Sequence, residues 1–359
     1  MRNKPTSGTE LSLVTWAVKA LGERLPATWS LEGVPYQKGP NKTRQDAVDA
    51  VVRLRGPDGT RSDVILETRS RIDPVDVPGV IDKVRRLARG RSVWIVAPFL
   101  SARTRDRLKE EKVNFADVTG NMWLALEKPA LYIETRGLDR DPQASARPLA
   151  SLKGRAAARV VRALCDFKPP YGIRELAERS ETSLASIARV VALMAREAAV
   201  VRNKRGGIDE ADPAALIQRW TQDYGLLRSN KVQPFLEPRD LKALKEKLKS
   251  LRARYAVTGS LAASTRTAVP PPRLGVLYVD DISAAASILG LRAVDAGANV
   301  FLVRPFDPVV YERCSKLDSV NYAAVSQVAA DLLTSPGRGP ADGEDLLAWM
   351  RNNPDAWRV

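Results

Sequence analysis

Apolar and polar residues alternate along "DAVVRLRG" (49–56) and again along "SDVILETRS" (62–70). A period of two is what a strand produces, because successive side chains leave opposite faces of the sheet. The intervening "PDGT" predicts a turn, so the two strands pair. The period then lengthens. "VPGVIDKVRRLARG" (77–90) has apolar residues every third or fourth position and predicts an amphipathic helix. "SVWIVAPFL" (92–100) is an unbroken apolar run, a buried strand, and "SARTRDRLKEEK" (101–112) is a helix that Ser101 caps. "VNFADVTGN" (113–121) adds a strand and a polar turn, giving an α/β unit with a mixed sheet.

Periodicity stops over "LDRDPQASARPLASLKG" (138–154), which predicts a linker. Three helices are predicted beyond it: "GRAAARVVRALCDF", "GIRELAERS" after the stop "KPPY", and "TSLASIARVVALMAREAAV" after a short turn. "VVRNKRGG" then predicts a strand and a glycine tip. On the third helix Leu184, Ile187, Val191 and Met194 recur at helical spacing and are expected to face the core, leaving Ser183, Ser186, Arg189 and Arg196 outward. "AALIQRWTQDYGLL" (214–227) predicts a connecting helix. Farther on, "RYAVTGSLAAS" (254–264) and "PPPRLGVLYVDD" (270–281) predict a strand, a Gly-Ser turn onto a helix, and a strand ending in acid. The stretch 320–350 predicts two helices around a glycine-proline loop, with Asp331, Arg338, Glu344 and Asp345 as surface and capping residues. Together these predict three domains, 1–145, 150–212 and 213–359, in a chain that combines α/β and α+β architecture.

Charge narrows the chemistry. The chain carries 57 Lys and Arg against 42 Asp and Glu, a net +15, and a polyanionic partner is the first expectation. The sixty residues from 151 to 210 hold twelve basic and seven acidic side chains, the densest positive excess. Histidine is absent, which excludes serine-histidine triads, histidine acid/base catalysis and the common zinc sites. Cys165 and Cys314 are too far apart in the sequence to read as a disulfide framework and are expected to be buried core thiols. With no apolar run of the roughly 20 residues that a membrane span needs, and no apolar signal core at the start, a cytoplasmic protein without membrane contact is expected.

Residues 49–100 resemble the core of PD-(D/E)XK nucleases. Such enzymes hold Mg²⁺ on two carboxylates from adjacent strands and place a lysine two residues past the second. The resemblance makes Asp49 the first carboxylate and Glu67 the second, with Asp63 a further acidic ligand, and it sets Arg69 in the lysine position. Arginine is a poor replacement, since its planar, permanently charged guanidinium handles a nucleophilic water badly. A retired nuclease fold without cofactor is therefore expected, and a Mg²⁺-dependent DNA endonuclease using Asp49, Glu67 and Arg69 is the alternative.

The order of helices and basic hairpin over 154–205 resembles a winged helix-turn-helix. That resemblance implies a double-stranded DNA partner. Ser183, Ser186 and Arg189 at the front of the third helix would enter the major groove, with Arg196 outward farther along it, while Arg174 and the wing residues Arg202, Lys204 and Arg205 would contact phosphate or minor groove. Residues 254–281 resemble the opening of a nucleotidyltransferase fold, but Asp280 and Asp281 are adjacent and would diverge on a strand rather than chelate together. The winged-helix pattern followed by "YAVTGSLAA", "LYVDD" and "SQVAADLLT" resembles the AbiEi-type antitoxins of type IV toxin-antitoxin systems. This implies a transcriptional regulator linked to phage defence or mobile-element control, with a nucleotidyltransferase toxin as genetic partner and a homodimer among its expected assemblies.

Overall fold

A computed structural model describes residues 7–35, 48–143, 151–268 and 270–359, so the middle of the predicted linker, 144–150, lies outside the described residues. The chain divides into two compact units, Met1–Ala146 and Arg147–Val359. It combines helices with mixed sheets in an α/β architecture. Among the described residues no helix is long and apolar enough to cross a membrane.

The first unit runs α1 (Ser7–Gly22), β1 (Ser30–Pro35), β2 (Ala50–Arg55), β3 (Arg61–Thr68), α2 (Val77–Ala88), β4 (Val93–Ala97), α3 (Ala102–Glu110), β5 (Asn114–Asp117), β6 (Met122–Leu126) and β7 (Leu131–Thr135). Its seven strands lie in sequence order. The β3, β4 and β5 strands are parallel neighbours, and antiparallel strands flank them on both sides. Alternation sorts the side chains between two cores. Val52, Leu54, Val64, Leu66, Trp94 and Val96 pack with α1 residues such as Leu13 and Ala17, while Ile65, Ile95, Ala97 and Phe115 pack with residues of α2 and α3. Ser101 caps α3 as its position predicts, with its Oγ accepting from the Thr104 N–H at 3.2 Å.

The second unit begins with α4 (Arg155–Asp166), α5 (Ile173–Ser180), α6 (Leu184–Arg196), and the antiparallel hairpin of β8 (Val200–Arg202) and β9 (Ile208–Ala211). Tyr171 bridges to Ile208 and adds a third extended edge to that hairpin. Next come α7 (Pro213–Thr221), α8 (Leu226–Ser229), β10 (Lys231–Leu236), α9 (Leu241–Lys249), β11 (Tyr255–Thr258), α10 (Gly259–Ala263), β12 (Gly275–Val279), α11 (Ile282–Leu289), β13 (Arg292–Ala293) and β14 (Val300–Arg304). The unit closes with β15 (Ser315–Leu317), β16 (Val320–Tyr322), α12 (Val325–Leu333) and α13 (Gly339–Asn352). Its seven-stranded sheet has the order β13-β10-β14-β12-β11-β16-β15. One continuous apolar core runs from Ala158 and Leu164 of α4 through Trp220 of α7 to Leu277 and Leu302 of the sheet.

The α4 helix ties the three-helix part to the sheet part. Arg162 is buried, and its guanidinium donates to the Asp166 carboxylate at 2.9 and 3.2 Å, to Gln327 Oε1 at 3.0 Å, and to the carbonyls of Val309 and Glu312 at 3.1 and 3.0 Å. Every donor of a buried cation must find an acceptor, and here the acceptors come from three segments of chain, α4 itself, residues 309–312 and α12. Asp166 also accepts from Ser326, and Arg159 reaches Asp307 at 3.1 Å.

Candidate nucleic-acid interface

The turn between α5 and α6 is short because Glu181 takes a left-handed conformation, φ 48°, that reverses the chain immediately after α5. Ser183 then caps α6, its Oγ accepting from the Ser186 N–H at 3.3 Å and hydrogen-bonding the Ser186 hydroxyl at 3.0 Å. Arg189 donates to the Ser186 Oγ at 3.4 Å, which links the three side chains along the front of the helix. Ser183, Arg189 and Arg196 are exposed, and Ser186 is half-buried. Packing of α6 is chiefly against α4, α5 and β8. Its outward face carries the small residues Ala185, Ala188 and Ala192 beside Arg189 and Arg196, so a partner can approach the helix backbone closely.

Leu184 corrects the expected core stripe. It is 51% exposed, whereas Ile187, Val190, Val191, Leu193 and Met194 are buried. The buried stripe is centred on Ile187, Val190 and Met194, which puts Leu184, the first helical residue, at its edge. The result is an apolar side chain standing at the leading end of α6 next to two serines.

In the hairpin, the Asn203 side chain organises the tip. Its Oδ1 accepts from the N–H groups of Arg205 and Gly207 at 3.0 and 2.9 Å, and its amide donates to Asp209 at 2.9 Å. Gly206 adopts φ 86°, which favours glycine, and a Cβ on Gly207 would sit 3.0 Å from the Asn203 amide. Arg202, Lys204 and Arg205 project into solvent.

The electrostatics of this region are selective. Arg159, Arg162, Lys168 and Arg179 are all tied to carboxylates. Arg174, Arg189, Arg196, Arg202, Lys204 and Arg205 are all exposed, and none makes an ion pair among the described residues. Cations left hydrated and uncompensated around one helix and one hairpin are available to phosphate.

The carboxylates of the first unit are engaged one by one. Glu67 is fully buried and bonded by the Arg69 guanidinium from the same strand face. Asp49 accepts from the Thr68 N–H at 2.7 Å and its hydroxyl at 2.8 Å, while Asp63 pairs with Arg53 at 3.0 Å on the partly exposed start of β3. Asp63 and Glu67 are four residues apart along one strand, about 13 Å. Among the described residues there is no group of three or more acidic or cysteine side chains that could hold a metal ion. Asp117, in the polar turn beyond β5, is buried and accepts from Leu100, Thr119 and Asn121, so it fastens the loop.

In the second unit, Thr258 pairs with Val276, so the Gly259-Ser260 turn lies at the start of β12. Asp280 and Asp281 follow the end of that strand, roughly 13 Å or more away. The β12 residues nearest the turn are buried and bear no carboxylate, namely Val276, Leu277 and Tyr278. Asp280 is held by Arg254 through two 3.0 Å bonds, which keep its carboxyl below the ordinary range, and Asp281 caps α11 through the Ala284 N–H at 2.9 Å.

Two further expectations are corrected. Asp331, expected at the surface, is fully buried and accepts from Tyr224 at 2.6 Å, from Tyr278 at 2.9 Å, from Gln327 at 2.9 Å and from Thr258 at 2.5 Å. Burial pushes its carboxyl upward, against the pull of those hydrogen bonds. Cys165 is buried as expected, but Cys314 is only half-buried, with its thiol pushed up to about 11 by desolvation. Arg338, Glu344 and Asp345 are exposed. Compared with known proteins, the chain matches no family model, no curated protein and no solved structure.

Proposed function

We propose that residues 151–212 are a winged helix-turn-helix that binds duplex DNA, and that the protein is a transcriptional regulator of the AbiEi antitoxin type. The observation that carries this reading is that eight of the twelve basic side chains of this region make no ion pair among the described residues, and six of those eight are exposed on α5, α6 and the hairpin. The α6 helix supplies the reading head. Arg189 can address a guanine edge bidentately, and Ser183 and Ser186 can reach base or phosphate. Arg174, Arg196, Arg202, Lys204 and Arg205 supply backbone contacts, which add affinity without sequence information. The short α5–α6 turn, the small outward residues of α6 and the three-edged hairpin all support that role.

A mobility-shift series with duplexes from the protein's own upstream region tests it. Lys204→Ala is expected to weaken every duplex about equally, and Arg189→Ala to cost about 1–3 kcal/mol on the preferred site while blurring its preference. Unchanged binding in both variants would remove the proposal. An adjacent gene encoding a nucleotidyltransferase would support the antitoxin assignment in particular.

A further inference from the structure

A cavity of about 290 Å³ opens at the carboxyl ends of the parallel neighbours β12 and β14. In open α/β sheets this is the edge where loops and helix starts leave room for a ligand. Lys231 of β10 and Arg304 of β14 line it as directly opposed register partners. Two like charges in that relation repel and destabilise a sheet, and neither residue has an ion pair among the described residues. The acidic residues of the rim relieve them only in part, since Asp280 attracts Arg304 but makes no ion pair with it. Asp280 is held bidentately by Arg254, and Asp281 is spent on the Ala284 N–H of α11. Ser283 adds a hydroxyl to the lining, and its N–H and that of Ile282 start α11 without partners inside the helix.

We propose that this cavity binds a small molecule carrying a phosphate group, with Lys231 and Arg304 as its principal contacts. A phosphate between them turns a repulsive pair into a shared attraction and also accepts from Ser283 and the first turn of α11. The lining holds no aromatic side chain to stack a base, so the phosphate is the recognised part and the volume suits a compound of sugar-phosphate size. The site belongs to the sheet, not to α6 or the hairpin, and it stands whether or not those elements bind DNA.

Calorimetric titration of the full chain with ribose 5-phosphate, and with inorganic phosphate, at matched ionic strength tests the proposal. Saturable uptake of both probes at one site is expected. Lys231→Gln and Arg304→Gln should each weaken uptake about tenfold or more, and Arg189→Ala should leave it unchanged. The absence of saturable uptake up to roughly 10 mM, or equal uptake by the parent and both glutamine variants, overturns the proposal. So does a loss of duplex-DNA affinity in Arg304→Gln, which would assign these cations to nucleic acid.

Discussion

Replacing Lys204 and Arg205 together by alanine removes the two charges at the hairpin tip. Both are exposed and make no ion pair among the described residues, and the Asn203 network holds the tip largely through backbone N–H groups. The fold should therefore survive. With Arg189 committed to a base edge, five cations remain for phosphate: Arg174, Arg196, Arg202, Lys204 and Arg205. At about 0.9 counterion per contact, the logarithm of the binding constant should fall with a slope of about −4.5 against the logarithm of salt. Raising salt from 50 to 200 mM should then weaken binding about 500-fold in the parent and only about 40-fold in the double variant, whose slope is about −2.7. A dimer on two half-sites would double both exponents, so the measurement also reports assembly. Fluorescence anisotropy on one labelled duplex across that range gives both slopes. Equal slopes in the parent and the variant, or a parent slope near zero, would refute the assignment of the hairpin to phosphate.

Further outcomes follow from the buried polar groups. Glu67→Ala should destabilise the first unit by about 3–5 kcal/mol in urea unfolding, because Arg69 loses its carboxylate, and adding Arg69→Met should recover most of the loss. Plasmid incubated with Mg²⁺ or Mn²⁺ should remain intact; cleavage that disappears in Glu67→Ala would instead restore the nuclease reading. Gly137→Ala should cost at least about 3 kcal/mol, since its Cβ would meet the Thr119 carbonyl oxygen at 2.1 Å. Asp331 has a carboxyl raised above 3.8, so its native state holds the proton more tightly and its contribution to stability is lost as pH rises from that value through the raised pKa. The stability difference between the parent and Asp331→Asn should shrink over that rise, and a difference independent of pH would contradict the shift.

Local pattern reached as far as local causes did. The alternation over 49–56 and 62–70 marks β2 and β3, the serine at 101 marks the start of α3, and the helix order from 154 to 200 marks α4 to α6, because each rests on neighbours within a few residues. Leu184 was misassigned by spacing alone. It shares a helical face with Val191, but only the elements packed on α6 determine where the buried stripe is centred. Asp331 escaped for a related reason. Its partners Tyr224, Thr258 and Tyr278 lie 53 to 107 positions away, and α12 is buried on sides that an amphipathic pattern reads as exposed. For the acidic candidates, spacing put Glu67 and Arg69 on one face, yet it could not reveal that Arg69 itself occupies Glu67 or that Asp49 is taken by Thr68.

The junction that Arg162 makes between α4, Gln327 and the carbonyls at 309 and 312 bears on how this chain can be cut or recombined. A fragment ending near 212 would leave this guanidinium with only its two bonds to Asp166 and without the other three. The three-helix part is therefore no transplantable cassette: grafted elsewhere, it would need either the sheet that came with it or a neutral residue at 162.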